Sequence, residues 1–314
     1  MIYDAVRESG AAAELPDEDT GSVRWAAGAM DGVLLMHTAM KEPAEDVEKV
    51  LAAIQAYVAD SATWDALYEV LRTTRALPVL DPLLSRVPNS GLDRRAVRAL
   101  ALRLATTAAD REPVKYGLAL LGLAGVEADA EIVRVLAGHD EFTLFGLVAL
   151  ARLTGGDPST ELWELAKRVR GWGRIHLVQR LARYERPEIR RWILVEGFHN
   201  DVADEYLALI AAEAGGLADA LAADPDDELL DSAGDLIGTL LGEGGPAGDI
   251  TDYADGVRAV TNLLAQLESR ASTPARLKTV QEIRDFIGDG REGWPDGLAA
   301  SCRRIIDRPS GWAG

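Results

Sequence analysis

Apolar side chains recur along this chain at the spacing of an α-helix, run after run, with only short polar breaks between the runs. Val47, Val50, Leu51, Ile54, Tyr57 and Val58 fall at i, i+3, i+4, i+7, i+10 and i+11. That spacing places them on one face of a 3.6-residue helix. Trp64, Leu67, Tyr68 and Leu71 start a second such face directly afterwards. Between the two, Asp60-Ser61-Ala62-Thr63 supplies turn and N-cap residues,. Two amphipathic helices joined by so short a turn make a helical hairpin, because each apolar face needs another to cover it.

The pattern repeats. Val97, Leu100 and Leu104 follow Asp93, and Val114, Leu118 and Leu121 follow Pro113. Ile132, Val133 and Leu136 come next, then Leu144, Phe145 and Val148. Leu162, Trp163, Ala166 and Val169 follow Asp157-Pro158, read as N-cap and first-turn proline,. Further stripes run through Ile175–Leu181, Ile189–Ile193, Leu229–Leu241 and Val257–Leu267, and Thr273-Pro274 opens a last one through Ile287. Alternating β-branched runs are missing, so the expected class is all-α. A chain of 314 residues exceeds the ~250–300 residues that one core serves,. Hairpins similar in kind, with no dominant core segment, predict a right-handed α-solenoid of stacked hairpins. The stretch Gly242-Glu243-Gly244-Gly245-Pro246-Ala247-Gly248 cannot be helical,. It divides the expected layout into an acidic and then helical N-terminal segment over 1–43, helical repeats over 44–242 and a C-terminal helical unit over 249–308. Residues 309–314 read as a frayed tail.

The succession of degenerate hairpins, with Asp or Asp-Pro at helix starts, resembles HEAT and armadillo-like repeat proteins. The segment Gly171-Trp172-Gly173-Arg174-Ile175-His176-Leu177-Val178-Gln179-Arg180-Leu181 is similar to one in uncharacterised bacterial HEAT-repeat proteins. The likeness covers residues 44–242 and implies a binding scaffold more often than an enzyme. It carries no catalytic residue onto this chain.

Charge is unevenly spread. The net charge is −18, which disfavours general binding to nucleic acid, since phosphates are repelled at long range. Yet residues 165–195 hold Lys167, Arg168, Arg170, Arg174, Arg180, Arg183, Arg186, Arg190 and Arg191 against only Glu185 and Glu188. Residues 196–257 then hold sixteen acids and no Lys or Arg. Two readings stand side by side. The two belts neutralise each other as neighbouring hairpins, or the basic belt lines a concave face and binds an anion or an acidic partner segment. Arginine suits the second, because its planar fork grips carboxylate and phosphate bidentately. The acidic stretch could equally meet a basic partner, as an immunity or inhibitor protein would.

Trp172, His176, Arg180 and Arg183 share one helix face, and the stripe Ile175, Val178 and Leu181 lies on another,. The spacing therefore predicts an aromatic, an imidazole and two guanidiniums pointing away from the core. Trp192, Glu196, His199, Asn200 and Tyr206 follow within two helices. The candidate ligand or partner site is Trp172, Arg174, His176, Arg180, Arg183, Trp192, His199, Asn200 and Tyr206. The competing reading makes Trp172 a cap on the core and His176 a surface hydrogen-bonder.

Other chemistry finds little footing. Four histidines and one cysteine form no zinc spacing and no His-Glu-x-x-His,. His139-Asp140 is half of an HD-type metal motif, with capping the simpler role for Asp140. No nucleophile elbow or phosphate loop is present. Cys302 sits among Leu298, Ile305 and Ile306 and reads as a buried, inert thiol. Trp172, Trp192 and the arginines are superficially compatible with HEAT-like DNA glycosylases, against which the net charge argues. No cofactor or metal is expected. The N-terminus lacks a basic region followed by an apolar run, and no stretch is long and apolar enough to span a membrane, so a cytoplasmic location is expected. The leading functional expectation is a non-enzymatic HEAT-like protein binding a protein partner near residues 165–206. The alternative is a small-molecule binder or enzyme with a pocket around Trp172, Arg174, His176 and Arg180.

Overall fold

The computed structural model describes residues 1–16, 24–39, 43–288 and 290–308; the expected tail at 309–314 lies outside them, as do 17–23 and 40–42 of the N-terminal segment. The described residues form eighteen α-helices, joined by turns and short 3₁₀ segments, and no strand. The chain divides into two compact units, Met1–Leu177 and Val178–Gly314.

The first unit holds α1 (Ile2–Ser9), α2 (Ala29–His37), α3 (Ala44–Ala59), α4 (Trp64–Thr73), α5 (Ala76–Arg86), α6 (Arg94–Thr107), α7 (Arg111–Ala124), α8 (Ala130–Ala137), α9 (Asp140–Leu153) and α10 (Ser159–Ala166). The caps expected from the sequence form. Asp60 accepts the Ala62 N–H, and Asp93 accepts the Ala96 N–H at 3.0 Å and starts α6. Satisfying the free N–H groups of a first turn in this way is worth about 1 kcal/mol per helix. At Asp157-Pro158 the start shifts by one residue: Asp157 accepts the Ser159 N–H, and Pro158 is the N-cap.

Packing within this unit skips a helix. α3 packs on α5, α5 on α7 and α7 on α9, while α4, α6 and α8 each cover a member of that row. The stripe Val47, Val50, Leu51 and Ile54 is buried in α3, and Leu100 and Leu104 of α6 are fully buried. α1 belongs to this unit as well. It packs on α6 and α8, buries Ile2 and Val6, and donates the Ile2 N–H to the Ala108 carbonyl.

The helix α11 (Trp172–Leu181) spans the division between the units. The second unit continues with α12 (Pro187–Trp192), prolonged by a π-helical turn over Ile193–Gly197, and then α13 (Glu205–Gly215), α14 (Leu217–Ala222), α15 (Asp227–Leu240), α16 (Gly256–Glu268), α17 (Pro274–Ile287) and α18 (Gly297–Ile306). Here too every second helix meets. The π turn and α13 pack on α15, and α15 packs on α17; in the other row α14 packs on α16, and α16 on α18. The Thr273 hydroxyl accepts the Arg276 N–H and caps α17 as its sequence implies. The glycine-rich stretch from Gly242 to Gly248 is a non-helical connection inside this unit. Cys302 is fully buried in α18, and that burial raises its thiol pKa, as expected of an inert cysteine.

Candidate functional site

The sequence places Trp172 and His176, with Arg180 and Arg183, on an outward face and adds Arg174 to the candidate site; the structure buries Trp172, His176 and Arg174 instead. Trp172 is 4% exposed, Arg174 1% and His176 5%. The shared face is real, since the two rings lie 6.3 Å apart. What covers it is α2. A Cβ on Gly32 would stand 2.1 Å from the Trp172 ring, and one on Gly28 would stand 3.3 Å from the Trp172 Cβ. The two glycines let α2 approach the indole closely. Arg174 donates Nε–H to the Val169 carbonyl at 2.9 Å. Residues 172–178 are all buried, so this stretch is enclosed on every side rather than amphipathic,.

The remaining candidates lie in the second unit. Arg180 is half-buried and Arg183 exposed. Trp192 is buried and donates Nε1–H to Glu196 at 3.1 Å, with its ring over Gly197 of the π turn. His199 stacks on Phe198 and places Nδ1 2.7 Å from the Asp204 carboxylate. Burial works against the charge of Asp204, yet His199 and the Asn200 N–H hold its pKa below the usual value. The Asn200 side chain donates to the Phe198 and Ala203 carbonyls and accepts the Val202 and Ala203 N–H groups. These residues knit the turn that leads into α13, and Tyr206 is buried in that helix.

The cations of the basic belt divide between paired and unpaired. Lys167 pairs with Glu164, Arg186 with Glu188 and Arg190 with Glu185. Arg191 reaches Asp226 and Glu228 of the acidic stretch at 2.9 and 2.7 Å. That stretch also engages later cations. Asp219 meets Arg258, Asp224 meets Arg270, and Asp227 and Asp231 meet Arg276. Arg168, Arg170 and Arg183, in contrast, are exposed and join no ion pair among the described residues.

The sequence reading misses a second constellation. Inside the first unit, the N-terminal turns of α2, α5, α7 and α9 meet at Lys115, whose side chain is 1% exposed. Its ammonium donates to Asp31 at 2.7 Å, Glu112 at 2.9 Å and Glu141 at 2.7 Å. Glu112 also accepts the Ala76 N–H at the start of α5, and Glu141 accepts the Gly28 N–H and pairs with Arg111. Burial disfavours the charge on Lys115, but three carboxylates outweigh it and hold its pKa above the ordinary lysine value. Asp31 fares differently. Burial, helped by Glu112 and Glu141, overcomes the pull of Lys115 and lifts its pKa to about 6. Glu141 resists burial through Lys115, the Gly28 N–H and Arg111, and its pKa is lowered. Asp31 is thus less compensated than Glu141, and its Oδ1 is buried without a hydrogen-bond partner among the described residues. One signal was available: Lys115 is the lone charge within Pro113–Leu121, a run otherwise apolar,.

His139 and Asp140 border this cluster and serve as caps. The His139 Nδ1 accepts the Glu141 N–H, Nε2 faces the Ala13 carbonyl at 3.1 Å, and burial lowers the imidazole pKa. Asp140 accepts the Gly173 N–H at 2.7 Å. Among the described residues no group of three His, Cys, Asp or Glu side chains is arranged to hold a metal ion.

One turn beyond the cluster the same helices open a cleft of about 210 Å³. Asp31, Lys115 and Glu141 are each followed four residues later by a cleft residue, namely Leu35, Ala119 and Phe145. Leu77, Leu80 and Leu84 of α5 and Leu144 and Val148 of α9 complete its apolar lining, with Asp81 and Arg152 as its charges.

No family model, no curated protein and no solved structure matches this chain. No helix among the described residues is long and apolar enough to cross a membrane.

Proposed function

We propose that this chain is a non-enzymatic, HEAT-like scaffold that holds a protein partner through its basic surface between residues 165 and 206. The observation that carries the reading is the state of the belt arginines. In a chain with 51 acids to 33 bases, internal carboxylates are plentiful, and Arg186, Arg190 and Arg191 each find one. Arg168 and Arg170 in the first unit, and Arg183 in the second, are exposed and join no ion pair among the described residues, which leaves bidentate donors in each unit for an acidic segment. The skipping contacts within each unit favour a solenoid order of hairpins inside that unit,. The reading with a pocket around Trp172, Arg174 and His176 loses support, because those three side chains are enclosed.

The test is affinity isolation from the producing cells with wild type and with the Arg168→Glu/Arg170→Glu/Arg183→Glu variant, followed by mass spectrometry. A partner with an acidic segment should be retained by wild type and lost with the variant, at unchanged melting temperature. Equal retention by both, or no specific protein with either, would overturn the proposal.

A further inference from the structure

We propose that the cleft between α2, α5, α7 and α9 receives an amphipathic helix from a protein partner. The site shares no residue with the basic belt, so it goes beyond the function proposed above and fails or stands separately from it. Three observations carry it. The floor is apolar, lined by Leu80, Leu84 and Phe145. Its rim holds Leu35 at 40% and Val148 at 45% exposure, two of the few large apolar side chains that the described residues leave in water. A further helix laid across them would remove both from solvent. Charge then selects the occupant. Asp81 stands on the α5 wall and Arg152 on the α9 wall; both are exposed and neither joins an ion pair among the described residues. One acid on the α5 wall and one base on the α9 wall of an apolar cleft complement a helix with apolar anchors at i, i+3 or i+4 and i+7, a cation on one flank and an acid on the other,. A fatty carboxylate would answer Arg152 and be repelled by Asp81. The volume also falls below the ~300–1,000 Å³ usual for an enclosed small-molecule site.

The walls are held ready for such a ligand. Lys115 ties the first turns of α2, α7 and α9 together one turn from the cleft, and its ammonium lies 5.6 Å from the centre of the Phe145 ring. A docked helix would therefore meet a formed surface and lose little affinity to ordering it.

The experiment is selection from a phage-displayed library of helix-forming peptides on the full chain, followed by calorimetry with the enriched sequences as synthetic peptides. Enriched peptides should share the i, i+3/i+4, i+7 apolar pattern with opposite charges on the two flanks. Val148→Arg should weaken them at least tenfold while leaving the melting temperature unchanged, and the exchange Asp81→Lys with Arg152→Glu should reverse the preferred flank charges. The Arg168→Glu/Arg170→Glu/Arg183→Glu variant should bind them as wild type does. The proposal is overturned if no peptide is enriched, if Val148→Arg leaves affinity intact, or if octanoate fills the cleft and no peptide does.

Discussion

The two units pack every second helix together alike and weight their charges differently. In the first, the decisive ion pairs are interior: Lys115 is 1% exposed, with Asp31 and Glu141 at 3% and 5%. In the second, the cations Arg191 and Arg258 are nearly half exposed and the carboxylates they meet are more exposed still, while Arg276, at 8%, is a buried exception. Buried charges hold structure in place through the cost of leaving any of them unpaired, whereas exposed pairs add little and are screened by salt. The first unit's cluster therefore sets the relation of four helices, and the second unit's pairs mainly offset its acidic surplus. Among the described residues neither device uses the exposed charges of Arg168, Arg170, Arg183, Asp81 and Arg152.

That contrast can be broken by substitution. Lys115→Met should have the largest effect, destabilising the protein by about 3–5 kcal/mol because three carboxylates lose their common cation; chemical denaturation measures it. Gly32→Ala should come next, at about 1–3 kcal/mol, since the added methyl drives into the Trp172 ring and the core must shift,. Retention of full stability there would mean that α2 does not press on the indole.

A smaller effect follows from Asp31. Its folded pKa of about 6 lies above the ordinary aspartate value of 3.8, so the folded state binds the proton more tightly. The contribution of Asp31 to stability is fully present below pH ~4 and is lost as pH rises through ~6. Asn at this position imitates the protonated acid. The stability of wild type relative to Asp31→Asn should therefore fall between pH 4 and pH 7, and a difference that is flat or rises with pH would contradict the assignment. The smallest change is expected for Arg191→Ala, whose exposed pairs with Asp226 and Glu228 should alter the melting temperature little, and less still in high salt.

Much of the fold is legible in the sequence because helical periodicity is a local signal. The stripes at Val47–Val58, Val97–Leu104 and Val257–Leu267 fall inside α3, α6 and α16, and Asp60, Asp93 and Thr273 cap as their types imply. The helix α5 escapes that reading, since Pro78 and Pro82 interrupt its pattern,; the interior Pro82 is accommodated within the helix all the same. The candidate site was legible only in part. Spacing correctly puts Trp172 and His176 on one face. No local signal reveals that α2, some 140 residues earlier in the chain, covers that face through Gly28 and Gly32. The Lys115 cluster is hidden for the same reason, because its members come from α2, α7 and α9 and only tertiary packing unites them.

The account turns on Lys115 as the common tie of the helix starts in the first unit, and native-state hydrogen exchange on Lys115→Met tests that tie directly. The amides of α2, α7 and α9 should lose protection together, by one shared free energy. Loss confined to α7, with α2 and α9 as protected as in wild type, would contradict it.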